Sequence, residues 1–374
     1  MDYRIDDNLK ETEIKKEKIG WLCTYAPEEI IIAAGYHPLR ITGKLKAFKS
    51  EGYFPINFCP FIKASMEDLL ASALKLKGVI FTNSCDGMRR FYDSCRAYLP
   101  DLPAFMLDVP RNKNIISIEH FTASLKEMII FLEELSGKKI CSHELESAIG
   151  ICNEKRMLLK KLSNHFRNNQ GSIGVKNYYK ILEKSMTDEP EAFIKYIKER
   201  IKELRSHLNS ASAGPAIMVI GNFINEERLW DIFDEIDCII ASEDMCNSSR
   251  YFENIKLSAG AEEVLDAALG AGKESPMAKL LTGIAVRQLY KPQCMRTADM
   301  GTKIEEIIKS ITRNNIKGLI FISQKFCDNT LLLYPLLREK LAETGIPSLF
   351  LEIEHNNISA GQIKTRLQAF LEII

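Results

Sequence analysis

Short apolar runs alternate with segments of helical period along the first third of the chain. The runs cover residues 19–23, 38–42, 79–81 and 103–108. Runs this short are typical of buried strands, whereas apolar residues spaced three or four apart indicate helices at 28–34, 61–75 and from Asp86 onward. Pro27 before the first of these helices and Gly35 after it fit the residue preferences of helix ends.

A long helical segment follows this alternation. Its period is helical from Ser117 to about Asn209, and the part from Glu146 onward is rich in Lys, Glu and Asn. That composition predicts a helical connector with a solvated face and not a linker of low complexity. Residues 210–215, Ser-Ala-Ser-Ala-Gly-Pro, then give the strongest boundary signal in the chain.

A second alternation of strands and helices begins after this boundary. Strands are predicted at 216–221, 238–241, 318–323 and 346–352, and helices at 226–236, 276–290, 303–313, 331–343 and 359–373. Such alternation favours parallel sheets with right-handed crossovers. We therefore predict an α/β fold with two Rossmann-like parallel-sheet domains. The expected divisions are an arm or helix at 1–18, a first domain at 19–140, a helical connector at 141–213 and a second domain at 214–374.

A Cys-Asp pair follows a buried strand in each half of the chain. Cys85 and Asp86 come after the third predicted strand, and Cys327 and Asp328 occupy the matching place in the second half. Ligands of open α/β sheets bind at the carboxyl ends of strands, and a helix amino terminus there stabilises a thiolate. Two such domains facing each other would bring both pairs, and the loop cysteine Cys59, to one cleft.

Charge and apolar patterning exclude several classes of protein. Fifty basic residues cancel fifty acidic ones in 374 residues, so the net charge indicates no nucleic acid and no anionic membrane. No apolar run approaches the roughly 20 residues that span a bilayer. The first residues lack the apolar core of a signal peptide. We expect a cytoplasmic protein without nucleic-acid or membrane partners.

Ten cysteines are scattered singly, without a CxxC or Cys/His zinc pattern. Three thiolates meeting in a cleft can hold three irons of a [4Fe–4S] cluster and leave the fourth iron open as a Lewis acid. Alternatively, each cysteine is a buried structural thiol, which is the commonest state of intracellular cysteine. The residue pattern leaves both interpretations open.

Five segments, taken together and in order, resemble the 2-hydroxyacyl-CoA dehydratase family, which includes benzoyl-CoA reductase subunits and double-cubane cluster proteins. The segments are GWLCTYAPEEIIIAAG at 20–35, FCPFIKAS at 58–65, NSCDGMRRFYD at 83–93, EDMCNSSRYF at 243–252, and KFCD at 325–328, which leads into GIPSLFLE at 345–352. The resemblance implies that Cys59, Cys85 and Cys327 bind a [4Fe–4S] cluster in the cleft between the two domains.

The resemblance also implies an anaerobic radical mechanism. A separate ATP-hydrolysing iron–sulfur activator delivers one electron, the thioester carbonyl of a 2-hydroxyacyl-CoA becomes a ketyl radical anion, and hydroxide then leaves. Family enzymes pair two similar subunits, so the expected partners are a homologous second subunit or a second copy, the activator and an acyl-CoA. The chain is then either the catalytic subunit or an electron relay, and no catalytic side chain is assigned.

Other functions stay open at this point. Cys23, Cys246 and Cys294 also fall in family-like segments, and six cysteines could hold a double-cubane [8Fe–9S] cluster that reduces small molecules. Near Cys246, however, the family often has Cys-Thr-Gly-Ser-Arg where this chain has Cys-Asn-Ser-Ser-Arg. A benzoyl-CoA reductase-type subunit and a cluster-free α/β ligand-binding protein are the remaining alternatives.

Several other residues have a plain structural interpretation. Glu28 and Glu29 begin a helix, where carboxylates favour the dipole, so a structural role is expected before a catalytic one. Arg89 and Arg90 suit either CoA phosphates or a solvated helix face. The cysteines outside the six are expected to be buried spacers: Cys95, Cys141, Cys152 and Cys238.

Overall fold

The computed structural model describes residues 16–72, 74–206, 214–253 and 275–374, and its strands form two four-stranded sheets. The first sheet contains β1 (Lys18–Trp21), β2 (His37–Arg40), β3 (Leu76–Thr82) and β4 (Ala104–Leu107). The second contains β5 (Ala216–Gly221), β6 (Ile239–Asp244), β7 (Gly318–Gln324) and β8 (Ser348–Ile353). Neighbouring strands are parallel throughout both sheets, which confirms the predicted α/β fold.

The two sheets share one topology. Their strand orders are β2-β1-β3-β4 and β6-β5-β7-β8. In each half, the second strand lies on one side of the first strand, and the third and fourth strands lie on its other side. The order therefore reverses between β1 and β3 in one sheet and between β5 and β7 in the other. In open parallel sheets, such a reversal opens a crevice at the carboxyl ends of the strands, where ligands bind.

Helices connect and cover these strands in the described residues. Their bounds are α1 (Glu28–Ala33), α2 (Pro60–Leu70), α3 (Asp86–Tyr98), α4 (Ile115–Ser136), α5 (Ser142–Asn168), α6 (Gln170–Ile173), α7 (Val175–Thr187), α8 (Pro190–Ser206), α9 (Glu227–Glu235), α10 (Ser249–Phe252), α11 (Pro276–Tyr290), α12 (Met300–Arg313), α13 (Asp328–Glu343) and α14 (Ala360–Leu371), with a 3-10 turn at Lys49–Tyr53. No described helix combines the length and the apolarity needed to span a membrane.

The helical segment predicted from 117 to 209 is a series of separate helices. Gly137 and Gly174 end two of its stretches with positive φ angles of 67° and 75°, a conformation that favours glycine. The longest helix, α5, packs on α1 and α8 and also contacts β6 and α10. One apolar cluster therefore runs from the first sheet through these helices to the second sheet, and a second, smaller cluster packs β5 and β7 against α12 and α13.

Three predicted helix boundaries were wrong by three residues or more. Helix α12 begins at Met300 and not at Lys303, because the side chain of Asp299 caps it by accepting from the backbone N–H of Thr302. Helix α2 ends at Leu70 and not near Lys75, because Ser72 and Lys75 take positive φ angles of 52° and 49° that end the helix. Helix α13 begins at Asp328 and not at Leu331, which places Cys327 at its amino terminus. The predicted arm at 1–18 lies outside the described residues up to 15, as does most of the boundary segment at 210–215.

Candidate functional site

Three of the predicted ligands each stand immediately before a helix. Cys59, Cys85 and Cys327, here called the first trio, precede α2, α3 and α13, and all three are half-buried. The thiol of Cys85 accepts a hydrogen bond of 3.3 Å from the backbone N–H of Met88. Since a helix carries partial positive charge at its amino terminus, three such ends favour an anionic group bound at this place.

Contacts between the two halves bring the first trio together. The side-chain amide of Asn329, in the first turn of α13, donates to the carbonyl oxygen of Ser84 at 3.2 Å. Burial raises the pKa of the Cys85 thiol to about 12, and the neighbouring Cys327 raises it further. Burial, followed by the nearness of Cys327, also raises the pKa of Cys59. A thiol with a raised pKa keeps its proton at neutral pH until a metal binds its sulfur, and the displaced proton then passes to solvent.

A second group of cysteines lies beside the first. Cys23 follows β1, Cys246 follows β6 and Cys294 follows α11, and these three, the second trio, are also half-buried. The nearness of the Cys246 thiol is the largest cause of a Cys294 pKa well below the usual range. Cys23 and Cys294 lie close enough to Cys85 to raise its pKa as well. The two trios are therefore neighbours.

Buried cations without carboxylate partners line the second trio. Arg40 donates to the carbonyl oxygen of Cys246 at 3.1 Å, and its guanidinium lies 4.3 Å from the ring centre of Phe223. Lys291 donates to the carbonyl oxygen of Thr24 at 2.5 Å. Arg296 donates to two backbone carbonyls of residues 109 and 110, at 2.6 and 2.9 Å.

These three cations are between 2% and 3% exposed, and within the described residues none of them forms a salt bridge. Burial and the neighbouring Arg287 lower the pKa of Lys291 well below its usual range. Isolated buried positive charge is costly, and that cost falls when an anionic group binds nearby.

Other buried charges in this region are paired. Glu28 accepts from Lys155 at 2.8 Å and from the hydroxyl of Tyr251 at 2.7 Å, and Glu29 pairs with Arg156. Both glutamates begin α1 and tie it to α5, so their observed role is structural. A carboxylate already committed to a buried cation is a poor general base, because that cation stabilises its ionised form.

The donor set of the two trios suits a cluster better than a single ion. Among the described residues, no three His, Cys, Asp or Glu side chains stand close enough to share one metal ion. Cysteines that bind different irons of one cluster stand farther apart than the ligands of one ion. Six soft sulfur donors with helix amino termini and buried cations around them fit an anionic iron–sulfur cluster.

The remaining candidates fall outside this site. Cys95, Cys152 and Cys238 are buried as predicted, but Cys141 is exposed, because it lies at the surface end of α5. Arg90 pairs with Asp93 at 2.7 Å on the exposed face of α3.

Sequence reasoning missed the cations Arg40, Lys291 and Arg296, which lie in segments that do not adjoin one another in the chain. The available signal was weak: Arg40 interrupts a run predicted to be a buried strand.

The part of this chain that matches a known family includes all six cysteines of the two trios. A family model described as 2-hydroxyglutaryl-CoA dehydratase, D-component, matches residues 23–374. The chain is 26% identical over 374 residues to the lactoyl-CoA dehydratase subunit beta of Anaerotignum propionicum, covering 99% of this chain and 94% of that one. It is 25% identical over 365 residues to the (R)-phenyllactyl-CoA dehydratase beta subunit of Clostridium sporogenes, with coverages of 96% and 92%. It is 22% identical over 382 residues to a subunit of the benzoyl-CoA reductase of Thauera aromatica, with coverages of 100% and 95%.

Proposed function

The chain belongs to the 2-hydroxyglutaryl-CoA dehydratase, D-component family, and we propose that it is the iron–sulfur subunit of a 2-hydroxyacyl-CoA dehydratase-type enzyme. The observation that carries the proposal is the first trio. Cys59, Cys85 and Cys327 come from three separate loops and stand at three helix amino termini, and the Asn329 hydrogen bond joins the loop of Cys85 to the helix that follows Cys327. Three thiolates are the ligand set that leaves one iron of a [4Fe–4S] cluster open.

Such a cluster, when bound, supplies one-electron chemistry and an open iron for the elimination of water from a 2-hydroxyacyl-CoA. The chain itself supplies the surroundings. The amino termini of α2, α3 and α13 direct partial positive charge at the thiolates and offset the negative charge that the group gains on reduction. The rings of Phe61 and Phe223, 4.9 Å apart, pack against each other, and Phe61 lies two residues after Cys59; both rings are buried.

Partner proteins are part of this proposal. The relatives named above are all enzyme subunits, and two of them are beta subunits, which supports a homologous partner for this chain. Apolar side chains close in sequence to the first trio are exposed: Ile56 by 88%, three residues before Cys59, and Phe326 by 40%, directly before Cys327. Exposed apolar surface of this kind suits a protein interface. An ATP-hydrolysing activator would deliver the electron in the cytoplasm.

Turnover that depends on the activator tests the proposal. The chain, its partner subunit, the activator, ATP and a reductant are mixed anaerobically with 2-hydroxyacyl-CoA thioesters, and the unsaturated acyl-CoA product is measured. We expect product from the wild type and from Cys141→Ser, whose cysteine is exposed away from the site. Cys85→Ser should lose activity. Equal rates for C85S and C141S would overturn the proposal.

A double-cubane reductase is a second candidate, and a specific observation favours it. The second trio lies beside the first, and the guanidinium groups of Arg40 and Arg296, which have no carboxylate partner among the described residues, place positive charge around it. One cubane on the first trio leaves that charge unexplained, whereas a second, linked cubane on Cys23, Cys246 and Cys294 would offset it.

Iron stoichiometry separates the two candidates. A single cubane gives about four irons per chain, and a double cubane gives about eight. For the second candidate, Cys246→Ser should lower the iron content and abolish the reduction of small molecules by the pre-reduced protein. Unchanged iron content in C246S would rule the second candidate out and leave the dehydratase proposal standing.

A further inference from the structure

We propose that Arg250 is a positioning residue that raises the reduction potential of the cluster held by the second trio, through a hydrogen bond to the thiolate of Cys246. This inference rests on the second candidate function above. Arg250 lies on α10, is 1% exposed, and directs its Nη1 to the sulfur of Cys246 at 3.5 Å. It would touch a ligand of the cluster and not the substrate.

The direction of this hydrogen bond is fixed by the other nitrogens of the same guanidinium. Nε donates to the carboxylate of Asp244 at 2.6 Å, and Nη2 donates to the backbone carbonyl of Asp244 at 2.8 Å. Because the planar guanidinium is held at two edges, its third group has one orientation, toward Cys246. The end of β6 and the turn after it therefore form a rigid support for one cluster ligand.

The charge at this support is net positive. Asp244 also pairs with Lys303, which is 2% exposed, so one carboxylate is shared between two buried cations. A hydrogen bond and a positive charge at a ligand sulfur reduce its electron donation to iron and stabilise the added electron. Loss of the Arg250 donor should therefore make the cluster harder to reduce.

Two variants separate the effect of the Arg250 hydrogen bond on the reduction potential from the effect of a buried positive charge alone. Arg250→Met and Lys303→Met each remove one cation from Asp244 and leave the other in place, but only R250M removes the donor to Cys246. Iron content and the midpoint potential are measured on the purified protein by redox titration with EPR detection. We expect R250M to keep its iron and to bind the electron about tenfold more weakly than K303M, which is about 59 mV for one electron.

Arg250→Lys keeps the positive charge but loses the planar guanidinium that Asp244 holds at two nitrogens. This variant tests the inference if R250M loses its iron. A lowered potential in R250K supports the inference, and a wild-type potential overturns it. Equal potentials in iron-replete R250M and K303M also overturn the inference while leaving the second candidate function intact. Wild-type iron content and potential in Cys246→Ser would overturn both together, because Cys246 would then bind no cluster.

Discussion

The side-chain amide of Asn329 donates to the backbone carbonyl of Ser84 at 3.2 Å, across 245 positions of sequence. Ser84 precedes Cys85, and Asn329 lies two residues after Cys327. This hydrogen bond therefore sets the separation of two proposed cluster ligands that belong to different sheets. Neither half of the chain can form the first trio alone.

Asn329→Ala should loosen the first trio without removing a ligand. One hydrogen bond of this kind contributes about 1 kcal/mol, which corresponds to roughly a fivefold change in an equilibrium constant. We expect faster loss of iron to a chelator under anaerobic conditions, followed by the decay of the visible absorbance. Asn357→Ala is the matched control, because the side-chain amide of Asn357 donates to the side chain of Glu354 at the protein surface. Equal rates in the two variants would mean that the Asn329 contact does not hold the trio.

Glu226 should make the stability of the fold depend on pH. Its carboxyl accepts from the backbone N–H of Asn356, its Oε1 lies 3.7 Å from Nδ1 of His355, and burial raises its pKa to about 7. A carboxyl with a raised pKa stabilises the fold fully below its unfolded pKa near 4.5, and this stability is lost as the pH rises through about 7. The total is at most about 3 kcal/mol, at 1.36 kcal/mol for each pKa unit.

Glu226→Gln should therefore match the wild type near pH 5 and exceed its free energy of unfolding near pH 8. Anaerobic urea unfolding between these pH values measures the difference. Burial lowers the pKa of His355, so this residue contributes with the opposite sign, but it does so in both proteins. For the neighbouring Glu227→Gln, whose wild-type side chain is exposed, the free energy of unfolding should change with pH as it does in the wild type. The prediction would be contradicted if the free energy of unfolding of E226Q also changed with pH as it does in the wild type.

Lys155→Met should be strongly destabilising. It removes the ion pair of the Glu28 carboxylate, which is 4% exposed, and leaves it the hydroxyl of Tyr251 as its hydrogen-bond donor among the described side chains. Breaking a buried ion pair on one side costs about 3–5 kcal/mol, and the E28Q/K155M double variant should recover part of this loss. Lys198→Met breaks an exposed pair with Glu154 and should cost at most about 1 kcal/mol. Chemical unfolding of the four proteins checks the order.

Two glycine substitutions should act in opposite directions. A Cβ at Gly221 would lie 2.7 Å from the backbone oxygen of Ile322, so Gly221→Ala must displace β5 or β7 and should cost about 1–3 kcal/mol. A Cβ at Gly283, inside α11, meets nothing within 4 Å. Gly283→Ala should therefore stabilise the protein by about 0.5–1 kcal/mol, since alanine loses less backbone entropy in a helix. Thermal unfolding of both variants measures the signs.

Local patterns were sufficient to predict the fold and the places of the first trio. Short apolar runs marked the strands, and the repeated order of strand, Cys-Asp pair and helix matched the shared topology of the two sheets. The resemblance to the dehydratase family, drawn from five segments, is confirmed by the match to residues 23–374. The identity of the cluster ligands stays a prediction.

The charges around the second trio could not be predicted from local pattern. Lys291 meets Thr24 across 267 positions, and Arg40 meets Cys246 across 206 positions. Such contacts depend on how the two halves pack and leave no local periodic signal. The end of α2 was misplaced for a related reason, because the apolar spacing continues past Leu70 while the backbone turns at Ser72.

The central claim is that this chain holds an iron–sulfur cluster on Cys59, Cys85 and Cys327. Iron and acid-labile sulfide per chain, measured on anaerobically purified wild type, C85S and C141S, test it most directly. We predict about four irons or more in the wild type and in C141S, and a loss of iron in C85S. A colourless, well-folded wild type without iron, or equal iron in C85S and C141S, would contradict the claim.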